Sequence, residues 1–248
     1  MLLGLCGAAF GSFVNVLAYR LPRRESIVKP RSRCPRCGTT IRSYDNIPIL
    51  SWLALRGRCR DCGMGISIRY PLVEAVTAAL FVLLGVKFGR EAALWPALAL
   101  AVTLVAAAAT DLEERIIPNR LMAAAAVLGL VLWTLADPSR LPENLIAAAA
   151  AGGLLLAAAL VYPAGMGMGD VKLAAVMGLF LGRSVGPALF IGFAAGALAG
   201  MAIVAARGAA ARKQGVPFAP FLALGGIAGL LFGSGLIDWY VEVAGLSS

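Results

Sequence analysis

Eight stretches of the chain are almost free of charge and run from 14 to 22 residues, at approximately 1–19, 71–88, 92–111, 120–136, 144–162, 170–183, 185–206 and 217–238. A helix rises about 1.5 Å per residue, so about 20 apolar residues carry it across the hydrocarbon core of a bilayer. The pattern predicts an all-α polytopic membrane protein of about eight transmembrane helices, with 170–183 as the short one. Polar positions concentrate between the first two stretches. Arg20 to Arg69 is too charged for lipid and must lie outside it. The chain therefore divides into a first transmembrane helix at 1–19, an extramembrane domain at 20–69, and a helical core of about seven helices at 70–248.

Composition agrees, with 60% hydrophobic and 14% charged residues and a mean hydropathy of +0.85. The 22 Lys and Arg against 13 Asp and Glu leave a formal charge of +9. In a chain this apolar the excess points to loop topology rather than to nucleic acid, because cytoplasmic loops gather basic residues. The 20–69 segment holds twelve of them, and eight spans place Arg115, Arg120, Lys172, Arg207, Arg212 and Lys213 on the same side. Lys87, Arg90, Arg140 and Arg183 fall opposite, a split of 18 to 4 that puts the 20–69 domain in the cytoplasm and both termini outside. The first stretch has no basic n-region and no A-x-A-like site, and reads as a retained anchor. Small residues at every fourth position, Gly178, Gly182 and Gly186, then Gly192, Gly196 and Gly200, predict close helix packing. Trp95, Trp133, Trp239 and Tyr240 fall near span ends, where amphipathic rings favour the interface.

The chain has no histidine. A Ser-His-Asp triad, a Cys-His pair and an H-E-x-x-H zinc motif are all excluded. Cys34-x2-Cys37 and Cys59-x2-Cys62, separated by 21 residues, instead have the spacing of paired thiolates around a tetrahedral zinc. Gly38 and Gly63 directly follow the two pairs and give each turn its backbone freedom. Four sulfurs close the coordination sphere, so the role is structural: about fifty residues with little core need a metal to fold. A reducing cytoplasm argues against disulfides. Cys6, inside the first span, reads as a small buried apolar residue.

Acids in or beside apolar spans are costly and are functional candidates. Asp111 ends the third span, followed by Ile117-Pro118-Asn119, and Asp170 opens the sixth after Gly165-Met166-Gly167-Met168-Gly169. The topology puts both on the cytoplasmic side although 59 residues separate them. Two carboxylates held together share protons, so one serves as acid while the other serves as base. Gly167 and Gly169 leave room for a substrate backbone, and Pro118 can stop or redirect a helix beside Asp111. The plainer alternative is that Asp111 marks a span end and Asp170 caps a helix.

These residues resemble the type IV prepilin peptidase family, the GxGD intramembrane aspartic proteases. The similarity rests on Gly167-Met168-Gly169-Asp170-Val171-Lys172-Leu173, Asp111 with Ile117-Pro118-Asn119, Phe10-Gly11-Ser12-Phe13-Val14-Asn15-Val16 with Arg20-Leu21-Pro22, the two cysteine pairs, and Tyr70-Pro71-Leu72-Val73-Glu74. It runs from about residue 7 to 182. The resemblance implies a bacterial inner-membrane enzyme that cuts the leader from type IV prepilins or pseudopilins, with Asp111 and Asp170 as the catalytic pair. It also implies N-methylation of the new N-terminus with S-adenosylmethionine, whose binding residues physics alone does not place. Glu74 is a buried-acid candidate for that second activity, or else a partner for basic loop residues. Glu113 and Glu114 either steer a basic leader or are simply solvated.

Two rival classes stand beside this reading. A transporter or channel would use Asp111, Asp170 and Lys172 as a proton relay, which calls for acids near the bilayer midplane. A zinc-ribbon adaptor with inert spans would explain the cysteines and leave the acid motifs without a purpose.

Overall fold

The computed structural model describes residues 2–29, 31–162, 166–208 and 216–245, with Arg207 described by its backbone only. Of the sequence positions used above, Gly165, Arg212 and Lys213 lie outside the described residues.

The described chain is helical, in the order α1 (Leu2–Arg20), α2 (Leu50–Ala54), α3 (Arg69–Phe88), α4 (Leu94–Glu114), α5 (Asn119–Ala136), α6 (Leu141–Val161), α7 (Met168–Leu181), α8 (Val185–Arg207) and α9 (Ala219–Val243). Each of the eight predicted apolar stretches is a helix, with ends shifted by a few residues. By length and hydropathy, seven candidate spans emerge among the described residues, because Met168–Ala206 forms one continuous run. The short element is α7, whose 14 residues reach only about 21 Å. Gly182, at φ 56°, ends it, and a 3-10 turn leads into α8.

Three antiparallel pairs, α1 with α3, α6 with α7, and α8 with α9, pack around α4, which α1, α3, α7 and α9 touch directly. The sequence of α4 explains its place. Ala97, Ala99, Ala101 and Ala106 to Ala109 keep the helix thin, so α1, α3, α5, α7 and α9 all reach it, and 78% of its span is buried. Leu100 and Leu104 of α4, Leu173 and Met177 of α7 and Leu222 of α9 are fully buried members of one apolar core. At the opposite extreme α8 packs mainly on α9, and its apolar surface faces outward.

The predicted glycine faces are only partly used. A Cβ on Gly178 would lie 2.5 Å from the Ala147 carbonyl oxygen, and one on Gly192 3.0 Å from that of Phe221. Gly196 meets the Phe218 ring, and Gly182 meets Asn144 and Glu143, whereas Gly186 and Gly200 face open space. A second correction concerns Trp133, which is buried at 6% exposure with the Arg140 guanidinium 5.5 Å from its ring centre; Trp95, Trp239 and Tyr240 are exposed. A third is Cys6, which is exposed: the buried stripe of α1 runs through Gly7, Gly11, Val14 and Ala18, and Cys6 lies off it.

Candidate active site

Between α1 and α3 the chain builds two matching knuckles. The Gly38 amide donates to the Cys34 carbonyl and the Cys34 amide to the Thr39 carbonyl. One pair later the Gly63 amide donates to the Cys59 carbonyl and the Cys59 amide to the Met64 carbonyl. Isolated bridges Arg33 to Thr40 and Arg58 to Gly65 close each turn. Gly38 and Gly63 sit at φ 71° and 70°, in the left-handed region where a Cβ is costly.

The result brings all four sulfurs within 4.8 Å of one another. Cys34 and Cys62 Sγ lie 3.7 Å apart, too far for a disulfide at about 2.05 Å. That separation fits the edge of a tetrahedron with metal-sulfur bonds of about 2.3 Å, which is about 3.8 Å. Hydrogen bonds from Thr39 hold the Cys37 thiol down at about 6. For Cys62 the Met64 amide works the other way, yet burial and the neighbouring sulfurs push the thiol up to about 11. Thiolates are the ligand form, so the donor set suits a cation that displaces the remaining protons.

The second cluster forms where α4 ends and α7 and α9 begin. Asp111 lies in the last turn of α4 and is 7% exposed; Asp170 lies in the first turn of α7 and is 9% exposed. The two are close enough for the charge of Asp111 to act on Asp170. Asp111 Oδ2 accepts the Ala219 amide at 2.9 Å, so the N-terminus of α9 is aimed at it. Such a terminus carries a partial positive charge and orphan N–H donors. Asp170 Oδ2 accepts the Gly167 amide at 3.3 Å, so this carboxylate also caps its own helix.

Local chain chemistry shapes this corner. Arg115, at φ 54°, terminates α4 three residues before Pro118, which serves instead as the N-cap of α5. The turn between them sends Ile117 inward, where it lies 3.0 Å from the place a Gly169 Cβ would occupy. The space above Gly169 is thus filled by Ile117, so here the missing Cβ lets α7 pack against the loop between α4 and α5. Lys172 Nζ donates to Asn119 Oδ1 at 2.7 Å.

The other acids have partners the sequence did not specify. Glu113 forms an ion pair with Arg69, and Glu114 with Arg23, tying the ends of the extramembrane segment to α4. Glu74, 7% exposed, has no ion pair among the described residues and accepts the Ile49 amide at 2.7 Å. The Ala219 donor was also missed. Its signal is Pro220 in the first helical turn, which marks a helix start.

An apolar bundle with two buried carboxylates converging at the ends of three helices, beside a cysteine cage outside the spans, defines a polytopic membrane protein with a paired-acid centre. Residues 98–234 match the Type IV leader peptidase family, and residues 5–88 match the Bacterial Peptidase A24 N-terminal domain. The chain belongs to the type IV leader peptidase family. A prepilin leader peptidase/N-methyltransferase of Bacillus subtilis (strain 168) is 38% identical over 98% of this chain and 98% of its own length. Proteins of the same name from Myxococcus xanthus (strain DK1622) and Aeromonas salmonicida (strain A449) are 41% and 34% identical, over 84% and 94% of this chain and 63% and 90% of theirs. No solved structure matches the chain.

Proposed function

We propose that this peptidase removes the leader peptide of type IV prepilins or pseudopilins at the cytoplasmic face of a bacterial inner membrane, with Asp111 and Asp170 as its catalytic pair. One observation carries this reading: two buried aspartates from distant parts of the chain converge where α4 ends and α7 begins. The ionised member takes a proton from a water, whose oxygen bonds to the scissile carbonyl carbon. The protonated member donates to the carbonyl oxygen, and the leaving nitrogen recovers a proton as the C–N bond breaks. No covalent intermediate is needed. By role the chain divides into the span at 1–19, the metal-binding segment at 20–69 and the protease core at 70–248.

The transporter alternative fails on position and partners. Both acids lie at helix ends, and Lys172 is engaged by Asn119.

Cys34, Cys37, Cys59 and Cys62 would hold a zinc ion, which supplies a covalent-like cross-link for a segment with little core of its own. The names of the relatives support N-methylation of the new N-terminus as a second activity. S-adenosylmethionine would supply its methyl group. The cavities along α8 and α5 are lined by Ala, Val, Leu, Met and Gly and offer this donor no side-chain polar partner.

The test is mass spectrometry of a purified prepilin incubated with the enzyme and its Asp111→Asn and Asp170→Asn variants. Each substitution is expected to slow leader removal by about 10³-fold or more, with insertion and folding unchanged. Cleavage by either variant at a rate comparable to the parent would remove the pair from the chemistry.

A further inference from the structure

The seam between α1 and α3 holds a buried polar cluster that the cleavage chemistry does not use. Asn15 of α1 is 3% exposed, and its Nδ2 donates to the Tyr70 carbonyl at 3.1 Å. That bond fixes the amide's orientation, because a carbonyl accepts only from the nitrogen. Asn15 Oδ1 is left as a buried acceptor with no donor. One helical turn further into α3 lies Glu74, and Ser12 of α1 faces the same carboxylate. Gly11 lets the two helices meet here, since its Cβ would fall 2.6 Å from Glu74 Cα.

Buried acceptors ordinarily have donors, and a buried carboxylate ordinarily has a cation. Here the donors that reach Glu74 are neutral groups, the Ile49 amide at 2.7 Å and the Ser12 side chain. The loop that delivers it is strained. Ile49 sits at φ 62° and ψ −53°, and the Leu50 amide donates to the Pro48 carbonyl at 2.6 Å. This is the rare γ-turn of positive φ, on a β-branched residue that disfavours it. The strained turn thus holds a neutral donor over the carboxylate.

We infer that Glu74 and Asn15 form the site that receives the α-ammonium group of the processed peptide. The N–H bonds of a primary ammonium suit the two acceptors that meet here, the Glu74 carboxylate and Asn15 Oδ1. The charge meets Glu74, one N–H is directed to Asn15 Oδ1, and the Pro48–Leu50 turn lifts to admit it. Glu74 then accepts one proton, giving a neutral carboxyl and a neutral amine whose lone pair is free, the form that any methyl acceptor requires. The position is suitable. The ion pair of Arg69 with Glu113 holds the start of α3 beside the end of α4, two residues from Asp111, and Glu74 follows Arg69 by five residues, about 8 Å along the helix. This inference rests on the second activity proposed above, and cleavage does not depend on it.

The experiment measures binding of the cleaved-product peptide to the detergent-solubilised protein in the absence of any methyl donor. A copy with a free α-amine is compared with an N-acetylated copy, and leader cleavage by the same preparations is followed separately. The parent protein is expected to bind the free amine at least tenfold more tightly than the acetylated peptide. Glu74→Gln and Asn15→Leu abolish that preference, while Glu74→Asp restores much of it. Equal binding of the two peptides by the parent, or an undiminished preference in Glu74→Gln, overturns the inference. If Glu74→Gln does not fold, the comparison in the parent and in Glu74→Asp decides. A parent protein that discriminates the amine and fails to cleave would sink the peptidase reading alone; one that cleaves and does not discriminate would sink the amine site alone.

Discussion

The four-cysteine cage and the two-aspartate corner are assembled by opposite means. Each half of the cage is local: four residues and a left-handed glycine fix two sulfurs, and the second half repeats the first with matching hydrogen bonds. The acid corner has no such local unit. Asp111 sits at the end of α4, Asp170 at the start of α7, and the amide aimed at Asp111 belongs to α9, 108 residues along the chain. A cage built from knuckles tolerates changes in the bundle, whereas a corner built from three helix ends depends on how those helices pack. The cage should respond to changes in metal and thiol chemistry, and the corner to side-chain volume far from it.

The largest expected effect breaks the corner's chemistry without touching its packing, which is the loss of cleavage on converting Asp111 or Asp170 to Asn. Next comes the packing itself. Gly178→Leu places a side chain against the Ala147 backbone, 2.5 Å from its carbonyl oxygen, and must push α7 off α6. It should lower stability by about 3 kcal/mol or more and cut activity, although Gly178 lies more than two turns from Asp170. Gly200→Ala, facing open space, is the control and should change thermal unfolding little. Equal effects from the two would show that helix contact does not set the corner.

On the cage side, replacing Cys34 and Cys37 by Ser should remove the bound metal and lower folded yield. The chemistry of cleavage in the surviving fraction should be unaltered. Full metal content in that double variant would exclude these ligands. Metal affinity should also fall as pH drops. The Cys37 thiol, held at about 6, is a thiolate above that value, and protonation below it competes with the cation. Chelator competition between pH 7.5 and 5 measures this, and a flat profile would contradict it. The smallest effect belongs to the ties between the regions. Arg23→Ala removes a surface pair with Glu114 whose side chains are 37% and 33% exposed, and should cost no more than about 1 kcal/mol in thermal unfolding.

The same contrast explains what could be read from the sequence. The cysteine spacing encodes the cage because its geometry is local, and the apolar stretches encode all eight long helices because length and hydropathy suffice. The nearness of Asp111 to Asp170 followed only as a shared side of the membrane. Contacts between helices left weaker traces. Gly186 and Gly200 carry the same periodic signal as Gly178, yet they face open space, because periodicity marks a helix face without naming its neighbour. Glu113 and Glu114 looked like a solvated or steering pair, and only the fold brings Arg69 and Arg23 to them. Asn15 left a trace as a polar residue inside an apolar span, but its missing donor became visible only once Tyr70 had taken the other half of its amide.

The central claim is that Asp111 and Asp170 act as one proton-sharing unit. Prepilin cleavage rates for Asp111→Asn, Asp170→Asn and the double variant test it most directly. Groups that act as a unit lose their function together, so the double variant should be no slower than the slower single one. Losses that multiply, with each single variant retaining substantial cleavage, would mean that the two carboxylates work apart.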